Sequence, residues 1–209
     1  MTSDRNESSL PPSYFDDMYE KNHDPWEFRS RWYEERKRAL TLAALPKPTY
    51  RNAFEPGCSI GVLTEALATR CNRVLATDVA DSALASARTR LADVAGVELR
   101  RWALGDTWPD ERFDLIVISE VGYYLDLHAL RTACDDAVDH AEFGATVVFV
   151  HWRHPVADYP MTGDEVHAVA HSTGGLVPLA RYSDEDVIID VFVVGHGMPT
   201  SVARAGGLV

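Results

Sequence analysis

The sequence is poor in positive charge: 20 Lys and Arg stand against 32 Asp and Glu, a formal net charge of −12 over 209 residues. Such a surface repels phosphate backbones and offers no broad basic footprint, which argues against a nucleic-acid partner. Cysteine is scarce as well. Cys58, Cys71 and Cys134 are odd in number and show neither CxxC nor Cys/His metal spacing, so neither a disulfide framework nor a metal site is expected. No window approaches the roughly 18 apolar residues of a membrane span, and the N-terminus MTSDRNESSLPPSYF has no signal-peptide core. The expectation is a soluble, cytoplasmic protein with no membrane partner, a monomer or a homodimer.

What is present is a change of texture along the chain. Residues 1–12 are polar and end in Pro11-Pro12, and residues 195–209 are rich in Gly and small residues, so both ends read as flexible tails. Between Trp26 and Leu45, Phe28, Trp32, Tyr33, Ala39, Leu40, Ala43 and Ala44 recur at helical spacing with Pro46 as the stop, and an N-terminal lid helix is expected over 13–46. From Asn52 onward short apolar runs alternate with helical stretches, the pattern of repeated βα units around a parallel sheet. Strands are expected near 52–55, 73–77, 97–101, 113–119, 144–151, 176–182 and 187–194. Helices are expected near 60–70, 81–92, 126–140 and 163–172. The short SDED link before the last strand cannot hold a crossover helix and demands an antiparallel pair. One α/β domain over 13–194 follows: a doubly wound, Rossmann-like seven-stranded sheet, mostly parallel with one antiparallel terminal strand.

The segment Glu55-Pro56-Gly57-Cys58-Ser59-Ile60-Gly61 lies between the first strand and the helix VLTEALATR, where open α/β sheets bind ligands. Gly57 and Gly61 allow a tight turn and close backbone approach, and the helix start presents free N–H groups to an anionic group. Asp78 ends the second strand seventeen residues after Gly61, near the offset at which an acid meets ribose hydroxyls. A nicotinamide site is one rival, but the spacing here is GxSxG, and it leaves Glu55 unexplained. An acid just before the first glycine suits a cationic cofactor better. A serine hydrolase is the other rival, because GxSxG matches a nucleophile elbow with Ser59 as nucleophile. Only 58 residues precede Ser59, however, and they contain no HGGG-like oxyanion segment.

The order of these motifs resembles class I S-adenosylmethionine-dependent methyltransferases over roughly residues 50–194. The resemblance implies S-adenosyl-L-methionine as cofactor, with its methionyl part held by Glu55, Gly57, Cys58, Ser59 and Gly61. It implies ribose binding by Asp78, an apolar adenine neighbour in Val79, and an adenine loop at Trp102-Ala103-Leu104. It places Ser119 and Glu120, at the exit of FDLIVISEV, beside the methyl donor. Two positions depart from the family pattern: Ser59 stands where glycine is common, and Trp102-Ala103 where an acid often binds adenine. A narrower similarity is to the NodS-like branch, carried by Asp24-Pro25-Trp26, Tyr33-Glu34, Ser119-Glu120-Val121-Gly122-Tyr123-Tyr124-Leu125 and His151-Trp152-Arg153-His154-Pro155. Its named member methylates the free amine of a chito-oligosaccharide, which implies an amine or sugar substrate and N-methylation ahead of O-methylation. A cofactor-binding regulatory domain without turnover is the reading from a different class.

Methyl transfer needs a lone pair held in line with the departing sulfur, and an amine must also lose a proton. Glu120, His151 and Tyr124 follow strands at the expected sheet edge and are the catalytic candidates. Each has a structural alternative: Glu120 as a cap or ammonium contact, Tyr124 as packing, and His151 as a hydrogen-bonded core histidine. Trp26 and Tyr33 are expected over the cofactor.

Overall fold

Seven strands, seven helices and one 3-10 turn are built by residues 8–209, the part of the chain that the computed structural model describes. The strands are β1 (Tyr50–Pro56), β2 (Cys71–Asp78), β3 (Val97–Arg101), β4 (Phe113–Ser119), β5 (Ala141–Trp152), β6 (Leu176–Ser183) and β7 (Val187–Val194). They form one sheet in the order β3-β2-β1-β4-β5-β7-β6. β7 alone runs antiparallel to its neighbours, pairing with β5 and β6, and it lies one place in from the edge.

The inner strands are buried on both faces, which is why they read as nearly continuous apolar runs. Successive residues of β4 divide between two cores. Ile116 and Ile118 pack with Leu130 and Cys134 of α5 (Leu127–His140) and Val166 and Ala170 of α6 (Gly163–Ser172). Leu115 and Val117 pack on the other face with Leu67 of α3 (Val62–Ala68), Leu84 of α4 (Asp81–Arg90) and Leu40 of α2 (Trp32–Ala44). Strand order reverses between β1 and β4, so the crevice of a doubly wound sheet opens above their carboxyl ends.

The N-terminal region departs from the expected single helix. It holds α1 (Pro12–Lys21) as well as α2, and Trp26 and Phe28 lie in the turn between them. Asp24 makes that break: its carboxylate accepts the Phe28 N–H at 2.8 Å, and Glu27 adopts φ +56°. Tyr19 of α1 packs with Ile60, Ala80 and Ala83, and this burial supports a helix that its charged sequence conceals. Ser9 and Leu10, expected in the tail, are tied to the body. The Leu10 N–H donates to the Tyr124 carbonyl at 2.8 Å, and the Ser9 hydroxyl donates to Asp126 at 2.8 Å. Residues 1–7 of the expected tail lie outside the described residues. At the other end, Val202–Ala205 forms a short helix, α7.

Candidate functional site

Above the β1–β4 crevice lies a cavity of about 580 Å³, covered by α1, α2 and the turn between them. Its floor is the β1 exit. Gly57 has φ +74°, and a Cβ there would stand 2.1 Å from the Val121 Cγ1, so any side chain collides with the β4 exit. The Cys58 N–H donates to the Thr77 carbonyl at 2.7 Å, pinning the loop to β2. Ser59 (φ +50°) then turns the chain into α3, with Gly61 (φ +79°) at its N-cap. Gly61 does not itself line the cavity.

Two buried carboxylates face this loop. Asp78 accepts the Ser59 N–H at 2.8 Å on one oxygen and the Ala80 N–H at 2.9 Å on the other. Burial raises its pKa, and these amides oppose that rise. Glu55 is 2% exposed, and its Oε2 has no hydrogen-bond partner among the described residues. Burial pushes its pKa up to about 8, with the Thr64 hydroxyl acting against it and Asp78 adding to it. An orphaned buried carboxylate at a ligand cavity is costly unless a cationic or hydrogen-bonding group completes it.

The β3 exit contributes Trp102, Ala103 and Leu104, with the Ala103 N–H donating to Asp106 at 3.0 Å. At the β4 exit Glu120 takes φ +58°, and its carboxylate is fully engaged. It pairs with Lys37 at 3.0 Å, accepts the Trp152 N–H at 3.2 Å and accepts the Tyr123 hydroxyl. Lys37 also pairs with Glu34 at 3.0 Å, so one buried ammonium sits between two carboxylates. Burial works against the Lys37 charge, but the two carboxylates outweigh it and its pKa rises. Burial raises Glu34 against the pull of Lys37. The Lys37 Nζ also lies 5.1 Å from the Tyr33 ring centre, a cation–π contact.

Of the residues singled out from sequence, Glu55, Gly57, Cys58, Ser59, Asp78, Val79, Ala103, Leu104, Ser119, Glu120 and Tyr124 line the cavity, as do Trp26 and Tyr33 in its cover. His151 does not: it is fully buried away from the cavity, and both ring nitrogens are hydrogen-bonded within the protein. Ser59 shares its hydroxyl hydrogen bond with Tyr19, and none of its described hydrogen bonds involves a histidine, so the nucleophile arrangement is not assembled. Sequence reasoning missed Tyr19, Glu34 and Lys37 as site residues. Lys37 follows Tyr33 by four and Glu34 by three, so all three share one helix face, and that spacing was the available signal.

The Nodulation protein S (NodS) family profile matches residues 16–170. The chain belongs to the NodS family. Nodulation protein S of Sinorhizobium fredii strain NGR234 is 33% identical over 135 residues, a match covering 59% of this chain and 61% of that protein. This chain therefore spans about three fifths of the length of that curated relative. The crystal structure of the N-methyltransferase NodS from Bradyrhizobium japonicum WM9, in complex with S-adenosyl-L-homocysteine, superposes with a TM-score of 0.78 at 27% identity. That match covers 87% of this chain and 98% of that one. A Pseudomonas syringae crystal structure provisionally named a methyltransferase is 39% identical with a TM-score of 0.70, covering 78% of this chain and 99% of that one. The NodS structure shares the fold of this chain, a Rossmann-like methyltransferase sheet whose antiparallel strand here, β7, lies one place in from the edge.

Proposed function

We propose that the protein transfers a methyl group from S-adenosylmethionine to the nitrogen of a small amine, an amino sugar or a related compound. The observation that carries this reading is the juxtaposition, on one cavity, of Asp78, the side-chain-free bend at Gly57 and the orphaned Glu55 carboxylate. These residues fit the cofactor: Asp78 offers carboxylate lone pairs to a ribose diol, and Glu55, kept protonated by burial, offers a carboxyl that an arriving ammonium would ionise and pair. The B. japonicum NodS complex with S-adenosyl-L-homocysteine supports the same assignment by likeness.

When bound, the cofactor supplies an activated methyl group on a sulfonium. The chain's own work is to orient the acceptor and manage its proton. Tyr33, Trp152 and Tyr124 wall the cavity and exclude water, which strengthens each charge interaction inside it. Glu120 is held by Lys37, Tyr123 and the Trp152 amide, so it serves as a fixed anchor. Glu34 has the raised pKa of a better proton acceptor, and it takes the proton that an arriving ammonium must lose.

The test has two arms. Isothermal titration with S-adenosyl-L-homocysteine and with NADH separates a methyltransferase site from a nicotinamide site. A screen of amino sugars and simple amines with S-adenosylmethionine, reading S-adenosyl-L-homocysteine by mass spectrometry, then identifies the acceptor. Binding without methylation of any amine, with turnover on hydroxyl compounds instead, replaces the nitrogen assignment by O-methylation.

A further inference from the structure

His151, the last residue but one of β5, lies beneath the active-site turn but takes no part in the cavity wall. Its Nε2 lies 3.1 Å from the Gly122 backbone nitrogen, and its Nδ1 lies 3.1 Å from Nε2 of His167 on α6. A backbone N–H can only donate, so Nε2 of His151 must carry the lone pair. In the neutral ring the proton then sits on Nδ1 and is donated to His167 Nε2. His167 in turn carries its proton on Nδ1, which lies 2.7 Å from Asp190 Oδ2 on β7. One backbone amide at the site and one carboxylate on β7 thus settle the tautomers of both rings.

The surroundings keep both rings neutral and Asp190 ionised. Burial, then His167, then Lys37, push His151 well below the ordinary histidine range. Burial lowers His167 too, helped by Arg181 and His171 and opposed by Asp190. Burial disfavours the Asp190 charge, yet the His167 hydrogen bond and the nearby His171 and Arg181 hold its carboxyl below the usual range. His171 reaches Asp190 Oδ2 at 3.0 Å, and Arg181 reaches Oδ1 at 3.6 Å.

The turn that receives this support needs it. Glu120 is held at φ +58°, a left-handed conformation that is strained in a non-glycine residue. A Cβ at Gly122 would meet Val166 Cγ1 at 2.7 Å and His151 Nε2 at 3.0 Å, so only glycine lets the turn settle onto the ring. We propose that His151, His167 and Asp190 form a positioning relay that fixes the Glu120–Tyr124 turn of the active site from the α6 side of the sheet. His151 is a positioning residue: it acts through the Gly122 amide and touches neither cofactor nor acceptor.

The inference rests on the proposed cofactor site only for its ligand readout. In protein labelled with nitrogen-15 at histidine, two-bond proton–nitrogen spectra near neutral pH are expected to show the Nδ1–H tautomer at both His151 and His167. His151→Gln keeps a side-chain oxygen for the Gly122 N–H and is expected to bind S-adenosyl-L-homocysteine within about threefold of the unsubstituted protein. His151→Leu removes the acceptor and is expected to bind about tenfold or more weakly. Phe192→Leu, a buried β7 substitution outside the hydrogen-bonded chain, lowers the melting temperature and leaves that affinity unchanged. An Nε2–H tautomer on either ring overturns the relay, as does His151→Leu binding as tightly as His151→Gln. If His151→Leu does not fold, the tautomers of the unsubstituted protein decide alone. If that protein binds no S-adenosyl-L-homocysteine, the proposed function fails while the tautomer measurement still judges the relay.

Discussion

Replacing Glu55 by Gln should stabilise the free protein and cripple its ligand binding. The carboxyl rises from its ordinary 4.5 to about 8 because it is buried beside Asp78 with one oxygen unpartnered. Between those two values the folded chain keeps a proton that the unfolded chain has released, so this group makes stability fall as pH rises. At about 1.4 kcal/mol per unit, the cost is roughly 1 kcal/mol at pH 5 and roughly 3 kcal/mol at pH 7. Glutamine fills the same space without that cost. At about 2–4 °C per kcal/mol for a chain of this size, Glu55→Gln should raise Tm by roughly 6–12 °C at pH 7 and by much less at pH 5. Thermal melts of both proteins across that range test the sign and the slope. Calorimetry tests the other half of the claim. If binding S-adenosyl-L-homocysteine ionises Glu55, close to one proton is released near pH 7, visible as a dependence of the binding enthalpy on buffer. Glu55→Gln should lose that release and bind about tenfold or more weakly. A Tm gain that does not grow with pH would falsify the account of a strained, unpaired carboxylate, whatever happens to binding.

Three further outcomes are expected. Asp78→Ala should weaken S-adenosyl-L-homocysteine binding by about 1–3 kcal/mol through lost charged hydrogen bonds, read by titration calorimetry, and unchanged affinity removes the ribose assignment. Gly57→Ala drives a Cβ against Val121 and should cost about 1–3 kcal/mol in urea melts. Val121→Ala in that background should return part of the loss, and strict additivity of the two changes contradicts the steric reading. Lys37→Met strands Glu34 and Glu120 in a buried site and should destabilise by about 3–5 kcal/mol near neutral pH. The loss should shrink as pH falls and Glu34, whose pKa burial already raises, takes up a proton, and a loss independent of pH rules the triad out as its cause.

The sheet was legible because its strands are buried on both faces and separated by helices of ordinary length. The run FDLIVIS has no polar face to blur its ends, and the expected 113–119 is where β4 lies. Asp78 and the Gly57 bend were legible for a related reason: a ligand at a strand exit demands particular residue types at a fixed offset. The cover was harder. The segment PSYFDDMYEK carries only a few apolar residues, and its helix depends on Tyr19 finding a niche beside Ile60 and Ala83, a long-range contact that no local pattern announces. Trp26 and Phe28 fit a helical period yet sit in a turn, because the Asp24 carboxylate competes for the Phe28 and Arg29 backbone amides. His151 stands where a strand-end histidine invites a catalytic reading. Only the positions of Gly122 and His167, distant in sequence, show that both its nitrogens are occupied.

The division of the site follows from where its charges are balanced. At the sheet edge Glu55 is unpaired and Asp78 is satisfied only by backbone amides, so that half is completed by something from outside. Beneath the cover the Lys37 ammonium already joins Glu34 to Glu120, and that half is held together without a ligand. This ion pair also links α2 to the β4 exit, while Arg36 ties the same helix to Asp184 in the β6–β7 turn. Two adjacent residues of α2, Arg36 and Lys37, therefore fasten it by charge to different parts of the body, and Tyr33 of the same helix packs edge-on against Trp152. A reaction that generates a proton at the acceptor suits the second half: an array of two carboxylates sharing one ammonium can take up a proton with its remaining charges still paired. A cofactor bringing its own positive charge suits the first. On the proposed reading, the two requirements of methyl transfer to an amine fall on different sides of one cavity: the cofactor's on the β1 and β2 exits, and the acceptor's on the ion-paired carboxylates between α2 and the β4 exit.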